Sequence, residues 1–92
     1  MNRYDYIQVY DWMRVVYELT GYDLLVYAYI YNLVEVTPLD LETYTGVPKR
    51  SLKASLKKLE DGGLIKWRKK RHRDNLPPEM ATLFYANPEF CL

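Results

Sequence analysis

Between residues 48 and 61 the apolar positions follow the period of an α-helix. They are spaced i, i+4 and i+7 and form a single stripe made of Leu52, Leu56 and Leu59. At about 100° per residue, the opposite face is small and basic, and it carries Arg50, Lys53, Ala54, Lys57 and Lys58. The pattern therefore predicts a helix over residues 48–61 with a buried leucine stripe and a cationic solvent face.

Two more helices are predicted ahead of this one. Near residues 7–19, apolar side chains recur at the spacing of an amphipathic helix, at Val9, Trp12, Met13, Val16 and Tyr17. The segment 22–35 is apolar on nearly every face, so it should form the central core element or be covered by a second subunit. Thr20 and Asp23, between the two helices, resemble a capping box.

Turn and cap residues place the next elements. The sequence Thr-Pro-Leu-Asp at residues 37–40 predicts a short helix near 38–45, with the threonine as N-cap and the proline in the first turn. Gly46 then stands where the chain must turn sharply, a position that often requires a positive φ. The glycine pair at residues 62–63 ends the basic helix.

Two β-strands are predicted after the glycine pair, near residues 64–70 and 81–86, because apolar and polar residues alternate there. Ile65 and Trp67 fall on one face of the first strand, and Trp67 is predicted to lie in the core. Residues 72–79 are too long and too rich in proline for a tight turn, so they predict a loop. The predicted fold class is mainly α with a small β hairpin.

The order helix, helix, short helix, basic helix, strand, loop, strand resembles the winged helix-turn-helix domains of bacterial transcriptional regulators. Two segments look closer to modules of replication-initiator and replisome-organiser proteins from phages and plasmids. One is the apolar run at residues 19–31, and the other is Ser-Leu-x-x-Ser-Leu-Lys-Lys-Leu-Glu-x-Gly-Gly-Leu-Ile at residues 51–65. The resemblance covers roughly residues 7–86. We expect one domain over residues 1–92, with the helix-turn-helix at 38–61 and the wing at 64–86.

This resemblance implies sequence-specific binding of double-stranded DNA by a small transcriptional regulator or a phage or plasmid replication module. The basic helix would lie in the major groove, and the wing would contact the backbone or the minor groove. Two positions depart from the family pattern. Pro48 stands where a capping serine or threonine is common, which leaves Val47 as a poor cap, and Glu42 replaces a small residue.

The distribution of charge favours a nucleic-acid partner, although the whole chain carries only +1. Residues 49–73 hold eleven basic and two acidic side chains, a net charge of +9. Residues 1–48 have a net charge of −5 and residues 74–92 have −3. A localised basic field of this kind is typical of proteins that bind the phosphate backbone.

The basic segment yields a specific set of predicted DNA contacts. Arg50 is the best candidate for a bidentate contact with guanine. Ala54 could meet a thymine methyl group, or it could simply be a good helix former. The predicted base contacts are Lys49, Arg50, Ser51, Lys53 and Ala54. The predicted backbone contacts are Lys57, Lys58, Arg68, Lys69, Lys70, Arg71 and Arg73. Strand alternation sends Arg68 and Lys70 to one face and Lys69 and Arg71 to the other, so not all of them can contact one duplex.

Tyrosine is unusually frequent, with ten in 92 residues and eight of them among the first 31. These side chains could complete the core of a monomer or form an interface, where tyrosine and tryptophan are enriched. We favour self-association, because so small a chain cannot easily cover every face of segment 22–35. The predicted homodimer contacts are Tyr10, Trp12 and Tyr17, rimmed by Asp11 and Glu18.

Several function classes have no support in the sequence. The longest apolar run is eight residues, far short of the ~20 that span a bilayer, so we expect a soluble cytoplasmic protein. No phosphate-binding loop or catalytic motif is present, so no enzyme, cofactor or small-molecule substrate is expected. A lone His72 and a lone Cys91 cannot form a zinc site. The alternatives are a winged-helix interaction module or inhibitor that docks its basic face on an acidic protein, and RNA binding.

Overall fold

The computed structural model describes residues 7–69 and 78–90. Its elements, in chain order, are the helices α1 (Asp11–Val15), α2 (Gly21–Leu33), α3 (Pro38–Thr45) and α4 (Lys49–Asp61), the strand β1 (Ile65–Lys69), the helix α5 (Pro78–Ala81), the strand β2 (Thr82–Ala86) and a 3-10 helix (Pro88–Phe90). This is the predicted fold class, mainly α with a two-stranded antiparallel hairpin, and it fits a winged helix-turn-helix. The predicted helices 22–35, 38–45 and 48–61 are found within two residues at each end. No helix of the described ranges is long and apolar enough to cross a membrane.

Helix α2 is the centre of the fold, as its uniformly apolar sequence predicted. Val26, Tyr27, Ala28 and Ile30 are buried on it, and α3, α4 and β2 all pack against it. The other elements and their connections contribute the rest of one core cluster, namely Met13, Leu19, Val36, Leu41, Val47, Leu52, Leu56, Leu59, Ile65 and Phe84. Burying a side chain such as Ile30 fully contributes about 1.5–3 kcal/mol to stability.

The first helix is much shorter than the predicted 7–19. Helix α1 has five residues, and the chain turns at Glu18, whose φ is +56°. This turn brings Leu19 into the core, and α2 packs against α1. Of the apolar residues that made the spacing over residues 9–17, Trp12, Met13 and Tyr17 pack on the core, whereas Val9 and Val16 are exposed. A helix of five residues gains little from its own hydrogen bonds, so α1 depends on those three contacts.

A capping box forms at α3, where Thr37 was predicted as the N-cap, and not at α2, where a box was predicted. At α3, the Thr37 hydroxyl accepts from the Asp40 backbone N–H at 3.1 Å, and the Asp40 carboxylate accepts from the Thr37 N–H at 3.3 Å. Thr20 is the N-cap of α2, but its side chain makes no cap hydrogen bond, so the predicted box with Asp23 is wrong. The unfilled cap forgoes about 0.5–2 kcal/mol of helix stability.

The turns around α4 use glycine as the sequence predicted. Gly46 closes α3 in the left-handed region with φ of +70°, and its N–H donates to the Glu42 carbonyl. At the other end, Gly63 has φ of +77° and donates to Glu60, while the N–H of Leu64 donates to Leu59. This double closure is a Schellman motif, which ends α4 and starts the strand one residue later.

The hairpin pairs β1 with β2 in antiparallel register, from Ile65 opposite Ala86 to Lys69 opposite Thr82. Val36 pairs with Phe84 from the other side of β2, through two backbone hydrogen bonds of 3.1 and 2.7 Å. The strand β2 is therefore central and β1 is the edge. Residues 78–81 form α5, so the last two residues of the predicted loop and the predicted first strand residue at 81 are helical, whereas residues 72–77 of that loop lie outside the described residues.

A strained residue connects α2 to this bridge. Val34 has φ of +72° and ψ of −63°, and the Glu35 N–H donates to the Leu33 carbonyl at 2.8 Å. These values describe a γ-turn centred on a β-branched residue, a conformation that is rare and costly. Because the γ-turn reverses the chain within three residues, Val36 reaches β2 only three residues after α2 ends.

Candidate nucleic-acid interface

Helix α4 buries one side and exposes a basic one. The buried side is the predicted leucine stripe with one addition, Ser55, so it consists of Leu52, Ser55, Leu56 and Leu59. The exposed side chains on the helix before residue 60 are Lys49, Arg50, Lys53, Ala54, Lys57 and Lys58. Ser51 is half-buried. The amphipathic pattern is confirmed, and its solvent face is cationic along three turns.

The N-terminal end of α4 differs from the prediction in its cap. Pro48 itself is the N-cap, with φ of −56° and ψ of 143°, and it has no side chain that could bond to the first turn. Val47 is buried, and its N–H donates to the Thr45 hydroxyl at 3.1 Å. Thr45 in turn donates to the Leu41 carbonyl at 2.6 Å. The Thr45 hydroxyl thus holds the connection between α3 and α4 in place. Lys49 and Arg50, which begin α4 after this connection, are exposed.

The two faces of the hairpin look in different directions. Residues paired across an antiparallel ladder share a face, so Lys69 lies on the same face as Thr82. A groove of about 370 Å³ separates this face from α4, and Lys53, Lys57 and Thr82 are among the residues that line it. Lys69 therefore projects on the side of the hairpin that faces the basic surface of α4.

Arg68 belongs to the opposite face of the hairpin. Its Nε donates to the Glu35 carboxylate at 2.8 Å and its Nη2 lies 2.6 Å from the same oxygen. Arg68 and Glu35 also border a second cleft of about 380 Å³, which Tyr31 and Tyr85 help to line. For Arg68 and Lys69 this geometry agrees with the predicted split of the strand cations between two faces, and the other two cations of that prediction lie outside the described residues.

Lys58 is held by an acid from another helix. Its Nζ lies 2.9 Å from the Asp23 carboxylate of α2, whose side chain is only 18% exposed. Burial acts to raise the pKa of Asp23, but hydrogen bonds from Ser55 and Lys58 and the ammonium charge outweigh it, and the pKa of Asp23 is lowered. Asp23 is therefore ionised at neutral pH and neutralises part of the cationic face. Nothing in the spacing of residues 23 and 58 could reveal this pair.

Trp67 lies on the surface rather than in the predicted core. Its side chain is 46% exposed, and its Nε1 donates to the Glu60 carboxylate at 3.1 Å. Because β1 is the edge strand and leads away from the helices, only Ile65, at its start, is buried. Trp67 thus couples the end of α4 to the hairpin.

The described cations fall into two groups. Lys58 and Arg68 are paired with carboxylates, whereas no carboxylate of residues 7–69 and 80–89 pairs with Arg50, Lys53 or Lys57. The same holds for Lys69. The remaining predicted backbone contacts, Lys70, Arg71 and Arg73, lie outside the described residues.

The aromatic residues proposed for a dimer contact pack within the chain. The Trp12 ring lies 5.5 Å from the Tyr17 ring and 5.3 Å from the Tyr31 ring, both edge-on. Tyr10 stacks on Trp12 at 5.8 Å and remains 38% exposed, and Tyr27 lies buried beneath. Such pairs contribute about 0.5–1.5 kcal/mol beyond the burial of their area. Trp12 and Tyr17 therefore serve the chain's own core.

Beside α1, apolar side chains remain exposed. We call this the α1 patch, and it comprises Val9, Tyr10, Val15 and Val16, which are 38–72% exposed. Within the described ranges no group of three or more metal-ligating side chains occurs.

A comparison with protein families adds an independent finding. The family described as "Sugar-specific transcriptional regulator TrmB" matches residues 13–88, from α1 to the end of the hairpin. No curated protein and no solved structure matches the chain. Since the match spans most of its length, the chain belongs to this family, which is one of DNA-binding transcriptional regulators rather than a class of enzymes.

Proposed function

We propose that this TrmB-family chain binds double-stranded DNA sequence-specifically, with α4 in the major groove and the hairpin on the backbone. The observation that carries the proposal is the basic face of α4, which stands opposite the buried stripe, and the sequence of residues 49–59 contains no acidic residue. A helix of 13 residues is about 20 Å long and about 10–12 Å wide with its side chains, which suits a major groove about 12 Å wide.

Base readout is assigned to the first turns of α4. Recognition helices usually enter the groove with their N-terminal residues, and here these are exposed cations. Arg50 has the fork geometry for the O6 and N7 of guanine, and Lys53, one turn later, reaches the same groove. Lys49, Ser51 and Ala54 complete the proposed set, with Ser51 limited by its half-buried position.

Backbone contacts are assigned to the cations that no acid holds. Lys57 lies one turn beyond Lys53, and Lys69 projects toward the same side from the hairpin. Lys58 and Arg68 were predicted in this role, but each would have to leave a carboxylate or share it. Lys70, Arg71 and Arg73 stay predictions of the same kind.

The assembly and extent of the protein are part of the proposal. We propose one winged-helix domain over residues 1–92, with the helix-turn-helix at 38–61 and the wing at 64–86, that acts as a homodimer. The exposed α1 patch supports this assembly, because a second copy would cover it. Regulation of transcription agrees with the family, whereas a role in replication rests only on the resemblance of residues 19–31 and 51–65.

A salt titration on duplex DNA tests the function. Each copy of the chain that meets about four phosphates should contribute about −3 to −4 to the slope of log K against log salt concentration. The Lys57→Ala variant should weaken binding to all sequences and flatten the slope by roughly one. Undetectable binding at low salt would contradict the proposal and favour an acidic protein as the partner of the basic face.

A second titration separates base readout from backbone contact. On a duplex selected from a random library, Arg50→Ala should cost about 1–3 kcal/mol of binding free energy, and much less on random DNA. Equal losses on both duplexes would reassign Arg50 to a phosphate contact.

A further inference from the structure

The carboxylate of Asp23 reaches from the first turn of α2 to the middle of α4. It lies 2.9 Å from Lys58 Nζ, and hydrogen bonding with the Ser55 hydroxyl helps to lower its pKa. Ser55 is 3% exposed and stands within the buried stripe of α4, while the exposed Lys58 is three residues further along, at the edge of that stripe. We call these three residues the α2–α4 latch.

The latch takes Asp23 away from its own helix. Asp23 occupies the third position of α2, where an acid after Thr20 would ordinarily complete a capping box. Thr20 makes no side-chain cap bond, and the acid turns to α4 instead. Helix α2 therefore lacks a stabilising cap at its N-terminus, and the acid that could supply it contacts α4 instead. We take this exchange as a sign that the contact places α4.

Apolar packing fixes which side of α4 faces the core, because the buried leucines interdigitate with their neighbours. A polar contact from Asp23 to this side of α4 is directional and can fix the rotation more tightly. A rotation of about 10° moves a side chain about 6 Å from the helix axis by about 1 Å. That displacement is enough to break a bidentate contact with a base, which requires about 2.7–3.2 Å between heavy atoms.

We propose that Asp23 is a positioning residue for DNA recognition, which sets the rotation of α4 through Ser55 and Lys58 and thereby aims Arg50 and Lys53 at base edges. This inference rests on the proposed function. It assigns Lys58 a role through Asp23 rather than through a phosphate. Asp23 is then required for specific binding, although its negative charge repels the phosphates of DNA.

Charge-removing and charge-exchanging variants test the latch. Asp23→Ala should bind the selected duplex about three- to tenfold more weakly, while its affinity for random DNA stays within about twofold, because the variant gains positive charge. Lys58→Ala should show the same loss with an unchanged salt slope. The double variant Asp23→Lys with Lys58→Asp restores the ion pair with opposite polarity and should recover most of the affinity.

Other results would overturn the inference. If Lys58→Ala flattens the salt slope by about one and the exchanged variant binds no better, Lys58 contacts a phosphate directly. If Asp23→Ala leaves the ratio of specific to random affinity unchanged, the latch does not position α4. Binding of the unmodified chain to duplex DNA is measured before any variant is compared. If the unmodified chain binds no duplex, the proposed function itself is refuted.

Folding of the variants is checked by thermal melting at the titration conditions. Ser55→Ala offers a second route, because it removes one hydrogen bond and changes no charge. It should lower the ratio of specific to random affinity about two- to threefold, whether or not the exchanged variant folds. An unchanged ratio in Ser55→Ala would count against the latch.

Discussion

At the scale of single residues, Gly46 holds the turn between α3 and α4 with φ of +70°. A Cβ at this position would meet no atom within 4 Å, so Gly46→Ala should destabilise through backbone strain alone, by about 1–2 kcal/mol. Gly62→Ala is the matched control, because its φ is −79° and its Cβ would make ordinary contacts. Urea unfolding should give a change within about 0.5 kcal/mol for this control. Equal effects of both variants would contradict the strain argument.

Val34 offers the opposite test, because strain is already present there. Its γ-turn has a positive φ, and the side chain is 69% exposed, so little burial is lost when it is removed. Val34→Gly should stabilise the protein by about 1 kcal/mol. Strained positions of this kind cost about 1–3 kcal/mol, and the greater backbone freedom of glycine in the unfolded chain offsets part of the strain that is relieved. Val34→Ala keeps a Cβ and should gain less. A lower midpoint of urea unfolding for Val34→Gly would refute the claim of strain.

The positions of some site residues follow from local sequence patterns, and those of others depend on contacts between distant parts of the chain. The exposure of Arg50, Lys53 and Lys57 follows from helical periodicity, a local property that the sequence states directly. The pairing of Lys58 with Asp23 joins residues 35 positions apart, and no local pattern encodes it. Trp67 was misplaced for a related reason, since alternation assigns a face but not how far along a strand the helices reach.

At the scale of elements, β1 provides a matched pair of lysines on its two faces. Lys69 projects toward the side of α4, and Lys66 lies on the opposite face with Arg68. Lys69→Ala should flatten the salt slope of DNA binding by roughly one, while Lys66→Ala should leave it nearly unchanged. The two variants have the same net charge, so the comparison isolates geometry. Equal slopes would mean that the hairpin contacts DNA with another face or not at all.

The contact between α2 and α4 should depend on pH. Since the pKa of Asp23 is lowered in the folded chain, its contribution to stability is present above the ordinary carboxyl pKa and is lost as the pH falls through the lower value. The difference in unfolding free energy between the unmodified chain and Asp23→Asn should be constant from about pH 5 to 8 and shrink below about pH 4. A difference that grows on acidification would contradict this sign.

Caps and periodicity predicted α2, α3 and α4 closely, because each carries its own start or stop signal. They failed for α1, because part of its apolar spacing comes from the rings of Trp12 and Tyr17, which pack on each other and on the core, and part from valines that stay exposed. They also missed the bridge from Val36 to β2, since one paired residue leaves no alternation to detect. Elements defined by their neighbours are thus the ones that local patterns do not reveal.

At the scale of the whole molecule, the uneven distribution of charge and the α1 patch concern how copies of the chain meet DNA. Residues 49–73 carry a net charge of +9 and residues 1–48 carry −5. A two-fold dimer through α1 would keep the basic surfaces apart from one another. It could present two α4 helices to successive major grooves about 34–36 Å apart.

This assembly predicts a particle of about twice 11.0 kDa in light scattering at micromolar concentration. Val15→Lys places a charge in the α1 patch at a side chain that is 72% exposed, so it should yield the monomer without unfolding it. Leu39→Lys is the control, because Leu39 is an exposed apolar residue on α3 outside the patch. It should leave the mass unchanged.

The duplex selected by the dimer should be roughly palindromic, whereas Val15→Lys should bind single half-sites more weakly and with a smaller salt slope. An unmodified chain that scatters as a single 11.0 kDa species would show that the aromatic residues of α1 serve only the monomer's core.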